Sequence, residues 1–287
     1  SNINLFLFFL SILTLFFVKY LNDKNIYNLV IINIAACLCI LTRSEFLLLY
    51  FFLIVYLIFL KKINLKYFLS SLIIFLICLS PFILRNLNAH GKIIITAESF
   101  GINLWRGWFE PNTSNSKNIN SIRNDGTSKL LSKETNQKIK NLDVKNNWES
   151  NLNDIYLNEA IQNIKKNYLE VPIILFNRAF SILFWFVDHD YKNANHFLIV
   201  IPWIFLVINF LVSLKRNYRN YFDLKKNYLK KYFLFYIIYY IFLFSVFFVI
   251  PRYKLFLLPF ISIIAAENID YYLNKSQLYK KIFVKYE

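Results

Sequence analysis

Tyr67–Leu84 reads YFLSSLIIFLICLSPFIL, a stretch without a single charge, and it decides the fold. As an α-helix it would be about 27 Å long at ~1.5 Å per residue, close to the hydrocarbon thickness of a bilayer. Similar runs lie on either side of it. Ile3–Val18, Ile26–Thr42 and Phe46–Leu60 precede it, and Phe197–Leu214, Tyr232–Ile250 and Leu255–Tyr272 follow. Phe46–Leu60 is short and borrows its flanks. Glu267 and Asp270 are placed at the exit of the last run, because carboxylates at mid-depth are costly. The expected fold is therefore all-α and polytopic, with about seven transmembrane helices.

Composition points the same way. Hydrophobic residues make up 57% of the chain and aromatic residues 20%, and the mean hydropathy is +0.42. Soluble domains hold roughly 45–50% apolar residues, so the excess needs lipid to cover it. The formal charge of +16 does not suggest a nucleic-acid binder, because most Lys and Arg fall in short gaps between apolar runs rather than on one folded face. Cys37, Cys39 and Cys78 lie inside apolar runs and read as small apolar fillers. The chain starts at Ser1, contains no Met and shows no basic leader before its first apolar run. The expectation is a piece that begins inside a larger protein, without a signal peptide.

The basic gaps set the topology. With the tail 274–287 in the cytoplasm, the inside gaps collect Lys215, Arg216, Arg219, Lys225, Lys226, Lys230 and Lys231, then Lys61, Lys62 and Lys66, then Lys19 and Lys24. The short outside gaps hold Arg43, and Arg252 with Lys254. That is the positive-inside asymmetry. Transmembrane helices are expected in 1–84 and 195–273, with an extracytoplasmic loop over 85–170 that is part irregular and part helical. Within the loop, Lys117–Asp125 is expected to be mobile, and Trp148–Leu169 has the spacing of an amphipathic helix. The apolar segment at 171–190 contains Pro172, Asn177 and Arg178. It is read as a helix lying in the outer interface, with Trp185 and the Phe residues in the acyl boundary and Arg178 at headgroup level.

Four stretches, in this order, resemble one family. Leu41-Thr42-Arg43-Ser44-Glu45 is similar to an L-T-R-P-E element. Ser80-Pro81-Phe82-Ile83-Leu84-Arg85-Asn86 is similar to P-W-x-x-R-N, and is followed by Gly101-Ile102-Asn103-Leu104-Trp105-Arg106-Gly107, similar to G-x-N-L-W-x-G-N. Glu159-Ala160-Ile161 leads through Pro172 to Phe184-Trp185. Pro251-Arg252-Tyr253 with Pro259-Phe260 is similar to R-Y-x-x-P-x-x-P. Together they resemble the C-terminal half of a GT-C superfamily glycosyltransferase, closest to the bacterial protein-mannosyltransferase-like and aminoarabinose-transferase-like group. Ser44, Phe82 and Trp108 depart from the family pattern.

The resemblance implies a glycosyltransferase of the bacterial inner membrane, multi-pass, with a cytoplasmic C-terminus. It would move a hexose or pentose from a polyprenyl-phosphate carrier to an extracytoplasmic acceptor: a lipid, a glycan or a protein. The polyprenyl-phosphate sugar is the donor substrate, no other cofactor is implied, and the partners are the bilayer, the donor and the acceptor. The family's catalytic carboxylate lies in a first outer loop absent from these residues, so no catalytic residue is assigned and the chain alone is expected to be inactive.

The candidate substrate-binding residues are Arg43, Glu45, Arg85, Asn103, Trp105, Arg252 and Tyr253. Arg43, Arg85 and Arg252 fall at the outer boundary in this topology, where guanidinium groups grip phosphate bidentately; they are expected to share an outward-opening cavity. Glu45 would orient Arg43. Gly101, Asn103, Trp105 and Gly107 are expected to form a turn over the site, with Trp105 on the sugar or dipping into lipid. Asp188-His189-Asp190 with His196 matches no metal motif and is read as capping, so no metal is expected. Asn112-Thr113-Ser114 fits an acceptor sequon. Two other classes remain open: an O-antigen polymerase or ligase, and a non-enzymatic transporter or scaffold.

Overall fold

The computed structural model describes residues 2–59, 65–91, 93–95, 99–109, 117, 133–142, 148–184, 195–218, 228–247 and 253–275. Among the described residues the regular elements are all helical. In chain order they are α1 (Asn2–Asp23), α2 (Ile26–Thr42), α3 (Phe46–Phe59), α4 (Leu65–His90), α5 (Phe100–Trp108), α6 (Lys133–Lys140), α7 (Trp148–Lys166), α8 (Val171–Phe184), α9 (Asn195–Arg216), α10 (Tyr228–Val246) and α11 (Lys254–Lys275), with a 3-10 turn at Tyr168–Glu170 before α8. Four helices are long and apolar enough to cross a membrane: Ile3–Asp23, Lys66–Ala89, Tyr228–Val246 and Lys254–Lys275. Ile26–Thr42 and Phe46–Ile58 are apolar but shorter. Phe8, Ile77, Phe205 and Phe242 are exposed on α1, α4, α9 and α10, and such outward apolar faces fit a bilayer environment.

The chain divides into two compact units. The first comprises Ser1–Gly101 and Gln137–Ile155. Here α1 packs on α2, and α2 packs on α3 and α4. Ile3, Phe6, Leu10, Leu13, Phe17 and Tyr20 form the buried stripe of α1, at the three- and four-residue spacing that puts side chains on one helix face. The chain reverses after α1 through Lys24, whose φ of 50° is left-handed; its N–H donates to the Tyr20 carbonyl at 2.9 Å. Asn25 then caps α2 by accepting from the Tyr27 N–H at 2.9 Å.

A polar cluster crosses this unit's core. The Asn33 amide donates to the Leu29 carbonyl at 2.8 Å and to Ser71 Oγ at 2.9 Å, and its oxygen accepts from the Tyr50 hydroxyl. One buried amide thus holds α2, α3 and α4 in register with its hydrogen-bonding capacity used. The Cys37 thiol donates to the Phe75 carbonyl at 3.7 Å, three residues before Cys78, so Cys37 also marks where α2 meets α4. Helix α4 runs on to His90, past the expected limit at Leu84, and carries Arg85 within it.

The second unit comprises Ile102–Asn136 and Tyr156–Glu287. Helix α9 packs on α11 and on α8, and α10 packs on α8 and α11. Aromatic rings fill the α10–α11 seam. Tyr236 lies 4.1 Å from Phe260, Tyr240 stacks on Phe256, and Phe244 stacks on Tyr253 at 3.9 Å and 6°. Much of the aromatic content serves this seam, since flat rings bury a large area with few torsions to fix. Polar groups lock its far end. Arg216 donates to Asn268 Oδ1 at 3.0 Å and to the Glu267 carbonyl at 2.8 Å, Asn268 donates to Asn209 at 2.9 Å, and Lys230 pairs with Glu267 at 2.7 Å. Glu267 is therefore charge-paired rather than buried alone.

Candidate functional site

Helix α8 brings the second unit's central residue into place. Phe176 and Phe180 are exposed, whereas Ile174, Asn177, Arg178, Ser181 and Ile182 are buried. Arg178 is only 1% exposed. Its polar partners among the described residues are therefore backbone carbonyls of the protein rather than solvent. Its guanidinium donates through Nη1 to the Ser245 carbonyl at 3.2 Å and the Phe247 carbonyl at 3.4 Å, and through Nη2 to the Gly107 carbonyl. Its plane sits 4.7 Å from the centre of the Trp108 ring.

The physical reason lies in the helix ends. The last carbonyls of a helix have no partner within it and carry the negative end of the dipole. Helix α5 ends at Trp108 and α10 at Val246, and both ends meet Arg178. A buried cation with multiple donors satisfies both at once. Burial lowers the Arg178 pKa below the ordinary guanidinium range, and a guanidinium stays protonated in proteins all the same. Two indoles extend the pattern. Trp108 Nε1 donates to the Val246 carbonyl at 2.6 Å, and Trp203 Nε1 donates to the Leu183 carbonyl near the end of α8 at 2.7 Å.

Gly107 is shaped by the same junction. Gly107–Trp108 is helical rather than a turn, and the expected turn over residues 101–107 is instead helix α5. A Cβ on Gly107 would fall on the Phe247 carbonyl. Glycine is needed for close approach of two backbones, not for a special backbone angle; among the described glycines only Gly91 has a positive φ.

The sequence-predicted residues fall in both units, and each is described within its own. Arg43 ends α2 in an extended conformation and pairs with Glu45 at 2.8 Å, as expected of an orienting carboxylate. Arg85 is exposed on α4, and Asn103 is half-buried in α5. Trp105 is buried, 1% exposed, and packs on Tyr156 at 4.9 Å and Phe109 at 5.1 Å, so it neither faces a sugar nor dips into lipid in this structure. Burial, with Glu159 adding, raises the adjoining Tyr156 hydroxyl above its usual 10.0, while Arg106 pulls the other way. Tyr253 is buried on Phe244. Arg252, Trp185, Asp188-His189-Asp190 and Asn112-Thr113-Ser114 lie outside the described residues, and His196 falls in α9. No cluster of metal-ligating side chains occurs among the described residues.

Lys117 is held, contrary to the expected mobility. Its ammonium pairs with Glu170 at 2.6 Å, and its carbonyl accepts from Asn177 at 2.9 Å; the rest of Lys117–Asp125 lies outside the described residues. Sequence reasoning missed Arg178 as a junction residue. A lone arginine inside an apolar run was the available signal, since a charge there demands a partner. Known protein families, curated proteins and solved structures offer no match to this chain.

Proposed function

We propose that this chain belongs to a membrane glycosyltransferase that takes a hexose or pentose from a polyprenyl-phosphate carrier and passes it to an extracytoplasmic acceptor. One observation carries the reading: one buried arginine, Arg178, joins two of the four motif stretches at the end of the helix that precedes a third in sequence. Gly107 ends the G-x-N-L-W-x-G stretch, Arg178 lies in the stretch that runs from Glu159 to Trp185, and Ser245 and Phe247 lie six and four residues before Pro251 in the sequence. Phe247 is fixed by Arg178, and Tyr253 is fixed by its stack on Phe244. About seven spans, an inner-membrane location and a cytoplasmic C-terminus belong to the same proposal, with 171–190 as an interfacial helix.

In the proposed reaction an acceptor nucleophile attacks the anomeric carbon, and the bond from that carbon to the phosphate oxygen breaks. Arg43 and Arg85, both in the first unit, are the groups assigned to the phosphate that leaves. The test uses membranes from cells expressing the complete gene, supplied with radiolabelled polyprenyl-phosphate hexoses and pentoses. Transfer is expected for at least one donor, and Arg85→Lys is expected to weaken donor binding about tenfold at unchanged expression, since lysine keeps the charge but loses the fork. Absence of transfer across the donor panel, beside an active control transferase, overturns the reading.

A further inference from the structure

Helices α9 and α10 enclose an apolar groove of about 280 Å³. Phe210, Leu214 and Tyr218 line one wall, and Leu234, Ile238 and Ile241 line the other. Each triplet follows helical spacing, so both walls are continuous stripes. From Phe210 to Tyr218 the groove runs about 12 Å at ~1.5 Å per residue. Phe210 is buried, while Tyr218 and Ile238 are about half exposed, so the groove is open along its side.

Charge distinguishes the two ends. The Tyr218 end lies beside Lys215, which is exposed, and Arg216. Lys231 precedes Leu234 and Ile238 on the same stripe of α10, with Lys230 next to it. Arg216 and Lys230 are already engaged by Asn268 and Glu267; Lys231 sits 5.7 Å from the Tyr228 ring centre. At the Phe210–Ile241 end the neighbouring residues carry no charge: Val207, Ile208, Phe242 and Leu243 are apolar, and Asn209 is a neutral amide bonded to Asn268. A slot that is greasy along its length and cationic at one mouth matches a molecule with one apolar chain and one anionic head.

We propose that this groove binds one acyl chain of an anionic phospholipid, with the phosphate against Lys215 and Lys231. Basic pockets between membrane helices hold anionic headgroups in this way, each cation near the surface adding to the attraction. A zwitterionic lipid supplies the same chain without the net charge, so it fills the groove less tightly. The site is independent of the transfer reaction.

The experiment titrates the delipidated full chain in detergent with phosphatidylglycerol and, separately, phosphatidylcholine, counting bound lipids by native mass spectrometry. The wild type is expected to bind one phosphatidylglycerol at least fivefold more tightly than phosphatidylcholine. Ile238→Trp, which fills a half-exposed part of the groove, is expected to weaken that binding at least fivefold at an unchanged melting temperature; Leu214→Trp provides a second filling variant. Lys215→Gln combined with Lys231→Gln should abolish the preference between the two lipids. Equal binding of both lipids by the wild type, or a phosphatidylglycerol adduct indifferent to groove filling in a folded variant, overturns the proposal.

Discussion

The α-carbon of Gly107 lies so close to the Phe247 carbonyl that a Cβ at residue 107 would coincide with its oxygen. The end of α5 is pressed onto the end of α10 at this point, and Arg178 donates to carbonyls of both. The second unit therefore contains a junction of two helix C-termini bridged by a cation from a third helix.

Gly107→Ala separates this steric role from ordinary glycine flexibility. Alanine there must push two backbones apart, and overpacking of that kind costs about 3 kcal/mol or more where nothing can yield. Gly91→Ala is the control. Gly91 has a φ of 65° but open space around it, so only the left-handed strain of about 1 kcal/mol applies. Melting curves in detergent should show Gly107→Ala as clearly the more damaging. Equal shifts would mean that α5 and α10 approach less closely than described.

Arg178 should tolerate no replacement that loses the fork. Arg178→Lys keeps a charge but cannot reach carbonyls on two helices, and Arg178→Met removes it altogether. Each leaves buried carbonyls unsatisfied, at about 1–3 kcal/mol per group. Both variants are expected to melt well below the wild type, whereas Arg106→Met, on half-exposed Arg106, should shift little. A wild-type melting temperature for Arg178→Met would show that the bridge contributes nothing.

The helices were legible because a bilayer imposes a length. Ile26–Thr42 is recovered residue for residue, and the other apolar runs are recovered within a few residues. The junction was not legible because its acceptors are backbone carbonyls, which every residue has and no residue type announces. Arg178 and Gly107 are separated by 71 residues, so no local spacing links them. Asn33 is one of two amides in the apolar run Ile26–Thr42, and its partners Tyr50 and Ser71 become readable only once three helices are packed. Trp105 and Gly107 were read as parts of a turn because glycine most often signals one; here the glycine marks contact.

Lys24 offers a stabilising change. It adopts a left-handed φ of 50° between α1 and α2, a conformation that costs a residue with a Cβ about 1 kcal/mol. It is exposed, so little packing is lost on truncation. Lys24→Gly should raise the melting temperature, with a gain of about 0.5–1 kcal/mol. A drop would show that the lysine side chain contributes more than its backbone strain takes away.

Cysteine cross-linking tests the packing of α2 against α4. Cys37 donates to the Phe75 carbonyl at 3.7 Å, which places it on the α2–α4 seam one helical turn from Cys78. Cys39, two residues further on, points to a different side of α2. A membrane-permeant oxidant such as iodine removes two electrons from the thiol pair and is reduced to iodide, leaving a disulfide and two protons. Peptide mapping by mass spectrometry is expected to find Cys37 joined to Cys78 in the wild type and in Cys39→Ser, and no such link in Cys37→Ser. A dominant Cys39–Cys78 link would require α2 to be rotated by about half a turn, since neighbours two apart on a helix face nearly opposite directions, and the Asn33 cluster would then lose its partners on α3 and α4.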